Sequence, residues 1–143
     1  MELRRATRAD RPAIRDVARR SLQASYSLDP AAITSAIEEW YGEERLAGML
    51  GDEDRLLFVA ADAGQVVAFS ESVVAAASTA TMLWLHVDPA HRREGIASDL
   101  FDATRTELER LGATGLRARV LAENAAGNSF YDQRGFRQVG TDT

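Results

Sequence analysis

Apolar positions along the chain follow two rhythms, and the change between them divides it. In the first part Ile14, Val17, Ala18 and Leu22 recur at the spacing of one helix face. Asp10 stands before that run as a cap, with Pro12 in the first turn, where a missing N–H costs nothing. The device repeats at Asp29 and Pro30, which open a helix running to about Trp40, and EERLAGML adds another turn or two. Ahead of both, Leu3 to Ala6 reads as a short strand. After the polar GDEDR the texture turns to strands. LLFVAAD and QVVAFSESVV are joined by a tight turn containing Gly64, and ATMLWLHVD follows, stopped by Pro89. Residues 95–111 return to helical spacing through Ile96, Ala97, Leu100, Phe101, Leu108 and Leu111, until Gly112 ends the helix. GLRARVLA is a strand, AAGNSFYDQR a short helix ending at Gly135, and FRQVG a last strand.

The order β-α-α-β-β-β-α-β-α-β predicts an α/β (α+β) domain. Its central sheet is mixed and mostly antiparallel, of about six strands flanked by helices, with hairpins early and crossover helices late. No repeat, linker or low-complexity tract interrupts residues 1–143, so one domain is expected. The net charge of −5 argues against nucleic acid or an anionic membrane as a partner. All 17 basic residues are arginine. The absence of cysteine excludes disulfides, thiol nucleophiles and thiolate metal sites, and no metal is expected. MELRRATRAD has no apolar run after its charges, and VVAAA with its neighbours is too short to span a membrane. A cytoplasmic protein is the expectation.

The chemistry gathers at residues 87–97, where a strand, a proline stop and a short loop lead into a helix. The first N–H groups of a helix lack partners and carry partial positive charge. Gly95 and Ala97 let a ligand approach that backbone, and Arg92 and Arg93 add full charges. Such a junction suits a diphosphate. On these residues alone, an ordinary helix start with a solvated arginine pair fits as well.

Arg92-x-x-Gly95-x-Ala97 after Val87–Asp88–Pro89 resembles the acyl-CoA signature of the GNAT N-acetyltransferase superfamily. ENAAGNSFYDQRGF is similar to that family's Asn…Tyr…Gly-Phe pattern, through Asn124, Tyr131, Gly135 and Phe136. The resemblance covers residues 1–141 in element order and is specific from Leu85 to Phe136. It implies acetyl-CoA as co-substrate, with its pantetheine arm entering a gap between the fourth and fifth strands, which splay apart. The backbone of His86 and Val87 would pair with that arm, the Val87 N–H also polarising the thioester carbonyl. Backbone N–H groups of Arg93, Glu94, Gly95, Ile96, Ala97 and Ser98 would hold the diphosphate, with Arg92 beside them. Asn124 would bond the pantetheine arm, and Tyr131 would protonate the departing thiolate. Tyr131 reads equally as a core aromatic between Phe130 and Phe136, and Asn124 as a helix cap.

The family pattern breaks where an amine base is expected. Thr81 stands where the histone-acetylating branch has Glu, and Arg119 where the ribosomal-protein branch has Glu. Glu71, mid-strand in an apolar run, and His86 are the base candidates; an exposed sheet edge would also account for Glu71. Alternation puts Leu116, Ala118 and Val120 on one face and Arg117 and Arg119 on the other. Arg119 there binds an acceptor's carboxylate or phosphate, or pairs with a surface acid. Trp40 and Tyr41 with Glu38, Glu39, Glu43 and Glu44 form either an acidic aromatic mouth for a cationic acceptor or a solvated helix face. The expected activity is acetyl transfer to a primary amine by direct attack, the acceptor a small amine or amino-acid derivative. A peptide amine, or acyl-CoA binding without catalysis, are the alternatives. The resemblance implies one more strand after FRQVG, so either the sequence is cut short or another segment or a second subunit in a homodimer covers that edge.

Overall fold

The computed structural model describes residues 1–25, 29–74, 78–92, 94–120 and 125–137. In chain order the elements are β1 (Glu2–Arg5), α1 (Arg11–Ser25), α2 (Pro30–Tyr41), α3 (Glu43–Leu50), β2 (Arg55–Asp62) and β3 (Gln65–Val74). They continue with β4 (Thr79–Val87), α4 (Ile96–Arg110), β5 (Gly115–Ala118) and α5 (Ala125–Gln133). The strands form one sheet in the order β1-β2-β3-β4-β5, antiparallel except for the β4–β5 pair. Five strands are seen where about six were expected. The predicted sixth, FRQVG, falls largely on Gln138–Gly140, outside the described residues, and Phe136 and Arg137 are not in a strand.

Strand alternation sorts the core into two layers. Leu57, Val59 and Phe69 face α1, α2 and α3 and pack with Ile14, Val17, Leu22, Ile33, Ile37, Tyr41 and Leu46. Leu56, Phe58, Ala60, Ala68 and Ala80 face the other way, onto Ile96, Leu100 and Leu108 of α4. Helices on both faces explain why β2 and β3 read as nearly continuous apolar runs. The β2–β3 turn places Ala63 and Gly64 at φ 51° and 81°, the left-handed pair a two-residue hairpin favours.

Two expectations change at the local level. Asp29 caps α2 as predicted, accepting from the Ala32 N–H at 2.7 Å. Asp10, by contrast, does not cap α1. A 3₁₀ turn at Arg8–Asp10 starts earlier, after Thr7, and Asp10 Oδ2 accepts from the Thr7 N–H at 2.7 Å. Arg4 donates to both carboxylate oxygens of Asp10, at 2.7 and 3.0 Å. That bidentate pair holds the Asp10 carboxyl below its ordinary range, and it pins β1 to the start of α1.

The feature that shapes the site lies in β4. Glu71 of β3 faces Trp84 and Ser72 faces Met82, so Leu83 is an extra residue: a β-bulge. The bulge reverses the alternation, sending Met82 to the α4 side and Trp84 and His86 to the α1 side. It also coincides with the end of the β4–β5 ladder. Pairing runs from Thr79↔Gly115 to Met82↔Ala118, and the Arg119 N–H donates to the Met82 carbonyl at 3.0 Å. Beyond that point no strand among the described residues lies against β4 on this side. Bulges bend and twist the strand that carries them, which accounts for the parting.

Candidate active site

Leu83, Trp84, Leu85 and Val87 are partly exposed, although their strand is interior to the sheet. Their exposure marks the cleft that opens past the bulge. Asp88 donates its N–H to the Val67 carbonyl on β3, at 2.8 Å. In an antiparallel ladder this turns the backbone groups of His86 toward Phe69 and those of Leu85 and Val87 toward the cleft. The Val87 N–H therefore lies as expected. The backbone of His86 does not: β3 already occupies it, and the backbone of Leu85 faces the cleft instead.

At the cleft's upper end, Asp88 closes a 3₁₀ turn (Pro89–His91) by accepting from the Ala90 N–H at 3.0 Å. Gly95 then begins α4 at φ 78°, a left-handed conformation in which a β-carbon costs about 1–2 kcal/mol. No side chain caps this helix. Its first N–H groups, on Ile96, Ala97 and Ser98, precede the first intrahelical bond, from Asp99 N–H to Gly95 O at 3.1 Å. Open space surrounds the position a Gly95 β-carbon would take, so the approach is clear. Arg92 and Glu94 are exposed beside it, and His91 lies 3.3 Å from Glu94. Arg93 and Asn124 lie outside the described residues.

Tyr131 sits at the cleft's lower end. Its hydroxyl donates to Met82 Sδ at 3.2 Å, and Met82 is the last residue of β4 paired with β5. The phenol thus stands where the strands part. Phe101, Phe130 and Phe136 surround it with ring centroids 5.2–6.0 Å away. Burial pushes the Tyr131 hydroxyl well above its ordinary pKa, and the nearby Arg134 charge partly offsets this. The core-aromatic and site readings of Tyr131 are therefore compatible. Gly135 and Phe136 owe their positions to the cap of α5. The Phe136 N–H donates to Tyr131 O at 3.1 Å and Gly135 N–H to Asp132 O at 3.1 Å, with Gly135 at φ 84°. This is a Schellman cap, and it folds Phe136 back against Tyr131.

The two base candidates lie elsewhere and are engaged. Glu71 is on the central strand, not on an exposed edge, and is only 3% exposed. One oxygen accepts from Tyr41 Oη at 3.0 Å and the other pairs with Arg55. His86 is buried, with Nδ1 3.0 Å from Ser21 Oγ, its ring stacked on Trp84 at 5.0 Å, and Nε2 without a partner. Burial, reinforced by the Arg92 charge, pulls its pKa down to about 3. Such an imidazole stays neutral and cannot take a proton from an ammonium group near neutral pH. Tyr41 is fully buried, and Glu38 pairs with Arg15, so the proposed acidic mouth is partly closed. Trp40 packs against Trp84 with the rings tilted and their centroids 5.1 Å apart. Arg117 and Arg119 are exposed, opposite the half-buried Leu116, Ala118 and Val120, as the alternation predicts. Among the described residues no group of three or more His, Asp or Glu side chains is placed to hold a metal. No helix among them is long and apolar enough to cross a membrane.

Comparison with known proteins bears on this arrangement. The acetyltransferase (GNAT) domain family matches residues 53–138. The [Ribosomal protein bS18]-alanine N-acetyltransferase of Escherichia coli strain K12 is 32% identical over 99 residues, 69% of this chain and 66% of that one. The matched stretch thus spans just under two thirds of that relative. The crystal structure of PaiA N-acetyltransferase from Thermoplasma acidophilum, in complex with coenzyme A, superposes with a TM-score of 0.92 at 26% identity, covering 99% of this chain and 92% of that one. An aminoglycoside acetyltransferase from an uncultured soil metagenomic sample, in complex with sisomicin, shares the fold at a TM-score of 0.73 and 19% identity, covering 99% and 93% of the two chains. The family match takes in the bulged strand, the glycine-led helix start and the Schellman-capped tyrosine together, and the chain belongs to the GNAT acetyltransferase family.

Proposed function

We propose that this protein transfers an acetyl group from acetyl-CoA to a primary amine by direct attack in a ternary complex. The observation that carries this reading is the line from the uncapped start of α4, along the open edge of β4, to the Tyr131 hydroxyl at the strand parting. Acetyl-CoA supplies an activated acyl group on a good leaving sulfur. The N–H groups of Ile96, Ala97 and Ser98 hold its diphosphate, with Arg92 exposed beside them and Arg93 proposed to add charge. Val87 and Leu85 pair with the pantetheine arm as a neighbouring strand would, and Asn124 is the residue proposed to bond it as well. The Val87 N–H stabilises charge developing on the thioester oxygen as the amine nitrogen bonds to the carbonyl carbon. The carbon–sulfur bond then breaks, Tyr131 gives its proton to the sulfur, and the proton the attacking nitrogen must lose passes through solvent and restores the phenol. Glu71 and His86 are spent in the fold, so the amine sheds its proton to solvent before it enters.

The acceptor is a small amine or amino-acid derivative. Arg119 is exposed on the sheet face shared with Trp84, where a carboxylate on such an acceptor would meet it. The resemblance to an enzyme named for an alanine of ribosomal protein bS18 favours a peptide amine as the second reading. Thiol release from acetyl-CoA, measured against small amines, amino acids and short peptides, tests both. Turnover with small amines supports the first reading and turnover with peptides alone the second. No turnover with any amine refutes the proposal.

A further inference from the structure

Arg134 has no place in the sequence motifs, yet its side chain lies at the start of α4. Nη1 donates to the Phe130 carbonyl at 3.2 Å, and Nη2 donates to Ser98 Oγ. The guanidinium carbon lies over the Phe130 ring, 3.6 Å from its centroid, and 5.5 Å from that of Phe101. Phe130 belongs to α5 and Ser98 to the first turn of α4, so this cation joins the two helices whose ends bound the cleft. A ring contact and two directional hydrogen bonds suit the planar fork of arginine better than the compact ammonium of lysine. Among the described residues no carboxylate pairs with Arg134, whereas most arginines of α1, β1 and α4 have one. A partly buried cation with no counter-ion among the described residues, beside the first N–H groups of α4, is poised for an anion.

We infer that Arg134 is a cofactor-binding residue: it contributes the positive charge that holds a phosphate of CoA against the first turn of α4. Ser98 serves as its anchor as well as a backbone donor. This rests on the proposed acetyl-CoA site and adds to it a side chain from the far helix. The same charge is felt at Tyr131, whose phenol it makes slightly more acidic, so binding and proton donation share one cation.

The test compares CoA with pantetheine, which has the same arm and no phosphates. Dissociation constants are measured by titration calorimetry for the wild type, Arg134→Gln and Arg134→Lys, with melting temperatures alongside. Arg134→Gln is expected to weaken CoA about tenfold, the size of one charge-assisted contact, and pantetheine less than about twofold. Arg134→Lys, keeping the charge without the fork, falls between. Unchanged CoA affinity in Arg134→Gln overturns the inference. So does an equal loss for both ligands, which would make Arg134 a staple between helices. A wild type that binds neither ligand refutes the proposed function itself, a result separate from any effect of the substitution.

Discussion

The two faces of the bulged strand β4 hold opposite kinds of chemistry. On the α1 side lie the groups that look reactive in sequence: Glu71, Tyr41, His86, Arg55. They are buried, bonded to one another or to Ser21, or stripped of charge. On the α4 side lie backbone N–H groups, a glycine in a left-handed turn, a phenol touching a sulfur and the Arg134 guanidinium. The closed cluster holds the sheet in shape. The open edge it supports has main-chain donors that no described strand pairs, and the proposed function rests on those donors. An ionisable side chain in an apolar strand is therefore a poor guide to this site, and an unpaired main-chain edge a good one.

Breaking the open side should cost activity with little loss of stability. Tyr131→Phe is expected to lower kcat by about 10²-fold or more while CoA binds as before, read by steady-state kinetics and calorimetry. The closed side should show the reverse. Glu71→Gln leaves the Arg55 charge without its carboxylate and should lower unfolding free energy by about 2–3 kcal/mol in urea titrations. The pH dependence of its kcat/KM should match the wild type; a lost alkaline rise would return Glu71 to the role of base. Gly95→Ala meets no neighbour but forces a β-carbon into φ 78°, so about 1–2 kcal/mol of strain should appear, with CoA affinity falling about tenfold.

Smaller effects sharpen the contrast through pH. Raised by burial, the Tyr131 phenol stays protonated beyond its ordinary value near 10, so kcat/KM should climb as the amine deprotonates and show no acid-loss limb up to about pH 10. Asp10 moves the other way. Its carboxyl is held low by Arg4, so its contribution is fully present above the unfolded value of about 3.9 and is lost as pH falls through the folded one. Asp10→Asn should therefore cost about 1–2 kcal/mol at pH 7, Arg4 being partly exposed, and progressively less below about pH 4 in thermal melts.

Much of this was legible in the residues. Strand alternation, the caps at Asp29 and Gly135 and the helix begun at Gly95 all come from local rules, and the structure follows them. The β4–β5 parting was implied by resemblance, and the bulge at Leu83 supplies its physical cause. That bulge could not be read from ATMLWLHVD, because one extra residue in a strand leaves no mark on composition and shows only against a partner's register. The resemblance turns the His86 backbone toward the cleft, whereas past the bulge β3 takes it and Leu85 faces the opening. The alternative reading of Glu71 as an edge residue fails because strand order, which the sequence does not show, makes β3 an interior strand. Arg134 left no signal of its own, because its meaning lies in a contact to Ser98, 36 residues away.

The central claim is that the first turn of α4 and the free edge of β4 hold a phosphate-bearing thioester. At 15.6 kDa the chain is small enough for backbone amide NMR, so titration with CoA is the direct test. The largest shifts, and slowed hydrogen exchange, are expected at Val87 and at Ile96, Ala97 and Ser98. Saturable binding that leaves those four amides unmoved while shifting others would contradict the account.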